Sequence, residues 1–152
     1  MATFTGSRAS KVFTPMGGGY VCAAYGLIAI AANPVAADIY ELLSLPAGAV
    51  VIGGEMWATD IDSNAAETLA FALGNKANGV EAEAEASLIA QAAMSGDAVT
   101  DVITVGKSVR KIELQAGPIT FTRETMIKAT AKVTAATFAA GTLFARVDYF
   151  IP

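Results

Sequence analysis

Residues 37–60 read ADIYELLSLPAGAVVIGGEMWATD, two extended segments joined by the tight turn Leu45-Pro46-Ala47-Gly48. Pro46 presets φ at the first corner, and Gly48 can take a positive φ near the end of the turn. Beyond the turn, Val50, Ile52, Met56 and Ala58 share one parity, the period of a strand with one face on a core. The other parity holds Val51, Gly53, Glu55, Trp57 and Thr59, which places Trp57 on the outer face. Before the turn, Tyr40 and Leu42 fall on one side and Ile39, Leu43 and Leu45 on the other. Apolar groups on both sides of a strand imply cover from two directions, by the chain's own core and by a neighbouring subunit. Nothing in this hairpin is chemically reactive.

Working outward, the C-terminal third alternates most cleanly. From Met126, Ile127, Ala129, Ala131 and Val133 point one way, and Lys128, Thr130, Lys132 and Thr134 point the other, toward water. After a turn at 139–142, Leu143, Ala145, Val147, Tyr149 and Ile151 point inward, with Arg146 and Asp148 outward. Thr68 to Gly74 gives another strand through Leu69, Phe71 and Leu73. Ile119 and Phe121 begin a short one. Residues 20–32, YVCAAYGLIAIAA, imitate the apolar core of a secretory signal, but the run is too short for the roughly 20 residues of a membrane span. They read as a further strand, closed by Asn33-Pro34. Glu81, Glu83 and Glu85 precede the Ala/Leu run 88–94, which predicts a short helix with acids at its positive end. Val99, Ile103, Val105, Val109, Ile112 and Leu114 are weaker signals, and Lys107, Arg110 and Lys111 suit an exposed loop.

Seven or eight strands, short turns and one short helix predict a mainly all-β domain. The expected architecture is an antiparallel β-sandwich or jelly roll over residues 20–152. Residues 1–19 lack a core-forming period, and Gly17–Gly19 is a flexible joint. They form an extended N-terminal arm. Its apolar anchors are Phe4, Val12, Phe13 and Met16, with Arg8 and Lys11 able to pair with carboxylates.

Composition narrows the function. Of 152 residues, 54% are hydrophobic and only 16% charged, against about 25% charged in an ordinary soluble domain. So little charge points to a subunit interface. Tyr40 and Trp57 join Phe4, Arg8, Lys11 and Phe13 as its candidate residues. A net charge of −4 with no basic stripe argues against direct nucleic-acid binding. The chain has no histidine and one cysteine, Cys22. Histidine-based acid–base chemistry, Cys-His pairs and cysteine zinc sites are all excluded. The glycine strings lack phosphate-loop spacing. Asp60-Ile61-Asp62 starts like a calcium loop, but Ala65 and Phe71 stand where that loop needs Gly and Glu. An Asx turn explains it better. No enzyme, cofactor or metal site is expected.

The block IYELLSLPAGAVVIGGE (39–55), the stretches DID and SNAAETLAFALG (60–74) and the ending AAGTLFARVDYF (139–150) resemble a family of small virion proteins of tailed bacteriophages, the capsid decoration or cement proteins. The likeness covers roughly 37–74 and 126–151. It implies a jelly-roll-like trimer bound outside the shell, clamping subunits of the major capsid protein, and it carries over no catalytic residue. The implied location is the virion exterior, reached from the host cytoplasm, with no membrane involved. Another virion part, such as a head fibre base, spike or tail protein, remains the alternative, and a secreted binding module a more distant one.

Overall fold

The computed structural model describes residues 1–7, 9, 19–64, 68–93, 109–112, 114 and 116–152. Ten strands are present among them: β1 (Thr3–Thr5), β2 (Cys22–Ile30), β3 (Ile39–Leu45), β4 (Ala49–Ala58), β5 (Ala70–Asn75), β6 (Ala84–Ala93), β7 (Arg110–Lys111), β8 (Ile119–Phe121), β9 (Thr125–Val133) and β10 (Gly141–Phe150). They make two sheets, β1-β3-β9-β5-β6 and β2-β10-β4-β7, with β8 also paired to β4. Every pairing is antiparallel except β1 with β3, which is parallel. The mainly β sandwich expected from the pattern is the observed architecture.

The turn at 45–48 forms as its residues dictate. Gly48 has φ 81°, and the Ala49 N–H donates back to the Pro46 carbonyl at 3.2 Å. The two strands it joins do not pair with each other. β3 enters one sheet and β4 the other, so the turn is a corner of the sandwich. Between the sheets lie Leu42, Leu43, Leu45, Met56, Phe71, Leu73, Ile127, Leu143, Val147 and Tyr149, all fully buried or nearly so. Tyr40 continues this core: it packs edge-on against Phe71 and carries Phe4 stacked on its other side, with centroids 4.9 Å apart. Gly26 brings β2 against β3, because a Cβ there would lie 2.0 Å from the Leu42 carbonyl oxygen.

Four expectations need correction. Residues 88–93 are strand, not helix, since β6 lies beside β5 with Leu73 opposite Ile89 and Phe71 opposite Ala92. A waiting sheet edge outweighs the modest helix preference of alanine. Val50 and Ile52 do not share the inward parity of Met56. Ile52 is an extra residue, because Asp148 pairs with Gly53 while Tyr149 pairs with Val51. This bulge shifts the alternation by one residue. Ala49 and Val51 therefore face the core and Ile52 is 39% exposed. Gly54, at φ 139°, accommodates the distortion. Lys128 and Thr130 are buried, not turned to water. Finally, Arg110 and Lys111 form a short strand against β4. Residues 99–105 and Lys107 lie outside the described residues.

The burial of Lys128 has a visible cause. Its row on the sheet passes through Glu41 and Gly74. Gly74 has no side chain, and the Ala84 carbonyl oxygen sits 2.0 Å from where its Cβ would be. The chain entering β6 thus lies close over this row, and Glu83 forms an ion pair with the Lys128 ammonium. Glu85 does the same for Lys132, and Glu41 takes Lys76 at 2.5 Å. Of the acids that suggested a helix start, Glu83 and Glu85 instead neutralise lysines on β9, one strand beyond β5, and Glu81 accepts from Thr122.

The first residues are tied to the sandwich. β1 pairs with β3, the Thr5 hydroxyl donates to Glu41 at 3.2 Å, and the Ala2 N–H donates to Asp38 at 2.7 Å. Ala9 is buried, with its carbonyl accepting from the Ser44 hydroxyl at 2.6 Å.

Candidate protein interface

The two outer faces of the sandwich differ in character. On the β1-β3-β9-β5-β6 sheet the face carries the three Lys–Glu pairs just described. On the β2-β10-β4-β7 sheet it carries aromatics. Strict alternation sends Ala145, Val147, Met56 and Ala58 inward and leaves Phe144, Arg146, Glu55 and Trp57 outside. Cross-strand pairing then sets these residues in rows. One row is Leu27, Phe144 and Trp57, across β2, β10 and β4. The next is Tyr25, Arg146, Glu55 and Lys111, across β2, β10, β4 and β7.

Trp57 and Phe144 stack with centroids 5.3 Å apart and planes 4° from parallel. Each covers part of the other, so both are half-buried, while Tyr25 is 45% exposed. The Arg146 guanidinium donates to Asp148 at 3.2 Å and pairs with Glu55 at 3.3 Å. Exposed pairs of this kind contribute about 0–1 kcal/mol. Their effect is to offset the Arg146 charge beside the aromatic row.

Of the residues singled out in the sequence, Trp57 occupies this face. Phe4 is 39% exposed and lies on Tyr40, at the opposite sheet's β1 edge. Tyr40 is only 2% exposed and is committed to the chain's own core. Burial, together with the nearby Asp38 carboxylate, raises its phenol to about 12. Arg8, Lys11, Val12, Phe13 and Met16 lie outside the described residues. Sequence reading passes over Phe144, Tyr25 and Glu55 as contributors to this face. The signal for Phe144 is there, since it shares the outward parity of Arg146 and Asp148.

The Asp60–Asn64 turn is an Asx knot. Asp62 is 1% exposed. Its carboxylate accepts backbone N–H groups from Thr68 (2.8 Å), Thr137 (2.9 Å), Ala136 (3.0 Å) and Leu69 (3.1 Å). Burial alone would raise its pKa, but these donors outweigh that and hold it far below the usual carboxylate range. With both oxygens facing N–H donors, Asp62 has no lone pairs aimed at a cation. Among the described residues, no group of three or more Cys, Asp or Glu side chains could hold a metal ion.

No protein-family model and no curated protein matches the chain. Its fold, however, recurs in solved phage capsids. A chain of the capsid of Ralstonia phage GP4 superposes with a TM-score of 0.75 at 21% identity, over 99% of both chains. A chain of the cyanophage Pam1 capsid asymmetric unit gives 0.68 at 25% identity, over 96% of this chain and 97% of that one. A chain from the acid-stable capsid of the Helicobacter pylori bacteriophage KHP30 gives 0.59 at 18% identity, over 90% and 91%. The sandwich therefore has the fold of polypeptides found in phage capsid structures, matched from end to end.

Proposed function

We propose that this chain is a structural protein of a bacteriophage virion, and specifically a decoration protein that stabilises the capsid from outside. The observation that carries the reading is the two-way coverage of 99% with the Ralstonia phage GP4 capsid chain. The alignment spans nearly the whole of both chains, so the two are of about the same length. A small β-sandwich with one apolar outer face is suited to bridging neighbours, and burying such a face is the main source of association energy. On this reading the chain forms trimers and bridges subunits of the major capsid protein. Residues 1–19, with Phe4, Arg8, Lys11 and Phe13, provide the contact to the shell. The runner-up is another virion part, such as a head fibre base, spike or tail protein.

The test is to add the purified chain to phage particles lacking it and to image them. Density outside the capsid floor at threefold positions, with greater resistance of the particles to heat, is the expected result. Density confined to the tail or to one vertex favours the runner-up, and no binding refutes both. Reversing Arg8 and Lys11 to Glu should reduce occupancy while leaving the circular dichroism spectrum unchanged.

A further inference from the structure

The two outward rows of the β2-β10-β4-β7 sheet are self-complementary, and we propose that this face pairs with the same face of a second copy of the chain. The row across the strands runs Tyr25, Arg146, Glu55, Lys111, that is, aromatic, plus, minus, plus. Place a second copy over it, related by a two-fold axis parallel to the strands and passing between β10 and β4. The row order is then reversed. Arg146 lies over the second copy's Glu55 and Glu55 over its Arg146. Tyr25 lies over Lys111, a cation–π geometry. In the neighbouring row the same operation sets Phe144 over Trp57 and Trp57 over Phe144. A two-fold contact requires this reciprocity, in which residue i meets j and j meets i.

Charge balance agrees. Arg146 and Lys111 are offset by Glu55 and Asp148, so the face is neutral although the chain carries −4, and two copies do not repel there. Stacked sheets of this kind pack about 10 Å apart with their strands roughly aligned. The three long strands β2, β10 and β4, about 4.8 Å apart and about nine residues long, with the two residues of β7, span about 450 Å². A pair then buries about 900 Å² in total, the size of a weak, transient contact. Pairing should therefore be reversible and concentration-dependent. It is distinct from a trimer contact, which is heterologous and joins two different surfaces.

The experiment is sedimentation of the full chain across a concentration series, with Arg146→Glu, Glu55→Arg, an equimolar mixture of the two, and the double variant. Wild type should show a unit that doubles its mass as concentration rises. Each single variant should lose that doubling, because like charges then face each other across the axis. The mixture should regain it, since the carboxylate introduced on one chain then faces the guanidinium introduced on the other. The double variant should also pair, because it restores opposite charges both within and between chains. It decides the matter if a single variant fails to fold. A wild type that never doubles, single variants that double as wild type does, or folded single variants that stay apart when mixed would each overturn the proposal.

Discussion

Replacing Asp62 by Asn should be among the most damaging isosteric changes available in this molecule. The carboxylate joins three separate pieces of chain: its own turn, the entry to β5 at Thr68–Leu69, and the segment Ala136–Thr137 after β9. An amide of the same shape keeps one acceptor and turns an NH₂ group toward backbone N–H donors. An NH₂ group in place of Oδ2 orphans the Thr68, Leu69 and Ala136 donors, and one in place of Oδ1 orphans Thr137 and the longer Asn64 contact at 3.4 Å. A buried unsatisfied donor costs about 1–3 kcal/mol, and the surviving bonds lose their charge assistance. In the less costly orientation the total is about 2–4 kcal/mol, a large part of the about 5–15 kcal/mol that holds a domain together. Urea unfolding followed by Trp57 fluorescence measures it. The pH dependence supplies a second check. Asp62 has a folded pKa below its unfolded value of about 3.9, so its contribution is fully present above that value and is lost as pH falls toward the folded pKa. The gap between wild type and variant should thus be constant near neutrality and close progressively below about pH 4. A gap of less than about 1 kcal/mol at neutral pH, or one that stays flat in acid, would refute the reasoning.

Glu83→Gln leaves the buried Lys128 ammonium without its counter-charge and should cost about 1–3 kcal/mol, the Glu83 side being half exposed. Lys128→Met should be tolerated far better in the same urea titration, because it removes the charge that needs pairing. Gly26→Ala places a methyl where the Leu42 carbonyl oxygen already stands, and a loss of about 1–3 kcal/mol or insoluble expression is expected. Glu81 accepts hydrogen bonds from the Thr122 hydroxyl and N–H, which bring its pKa down to about 2. NMR titration should find Glu81 ionised until strongly acid pH in wild type, and returned toward the ordinary glutamate range by Thr122→Val.

Much was legible from local pattern alone. The Pro46–Gly48 turn, the alternation of β10 and the strand at 22–30 all follow from residues close together in sequence. Period, turn chemistry and composition are local properties, and the chain states them directly. Partnership is not local. Residues 84–93 are rich in alanine and acid, and only the edge of β5, with Ile89 opposite Leu73, makes them a strand. A single extra residue, Ile52, reverses which of Val50 and Val51 joins the core, and its register is set by β10, at the far end of the chain. Lys128 looks like a solvated lysine until Gly74 lets the chain near Glu83 close over it. Tyr40 looks like a surface aromatic until Phe4 and Phe71 enclose it. Sequence determined the turn at 45–48 and most of the extended segments. Tertiary structure decided register, cover and the rows on the outer faces, because each depends on which distant strand lies alongside.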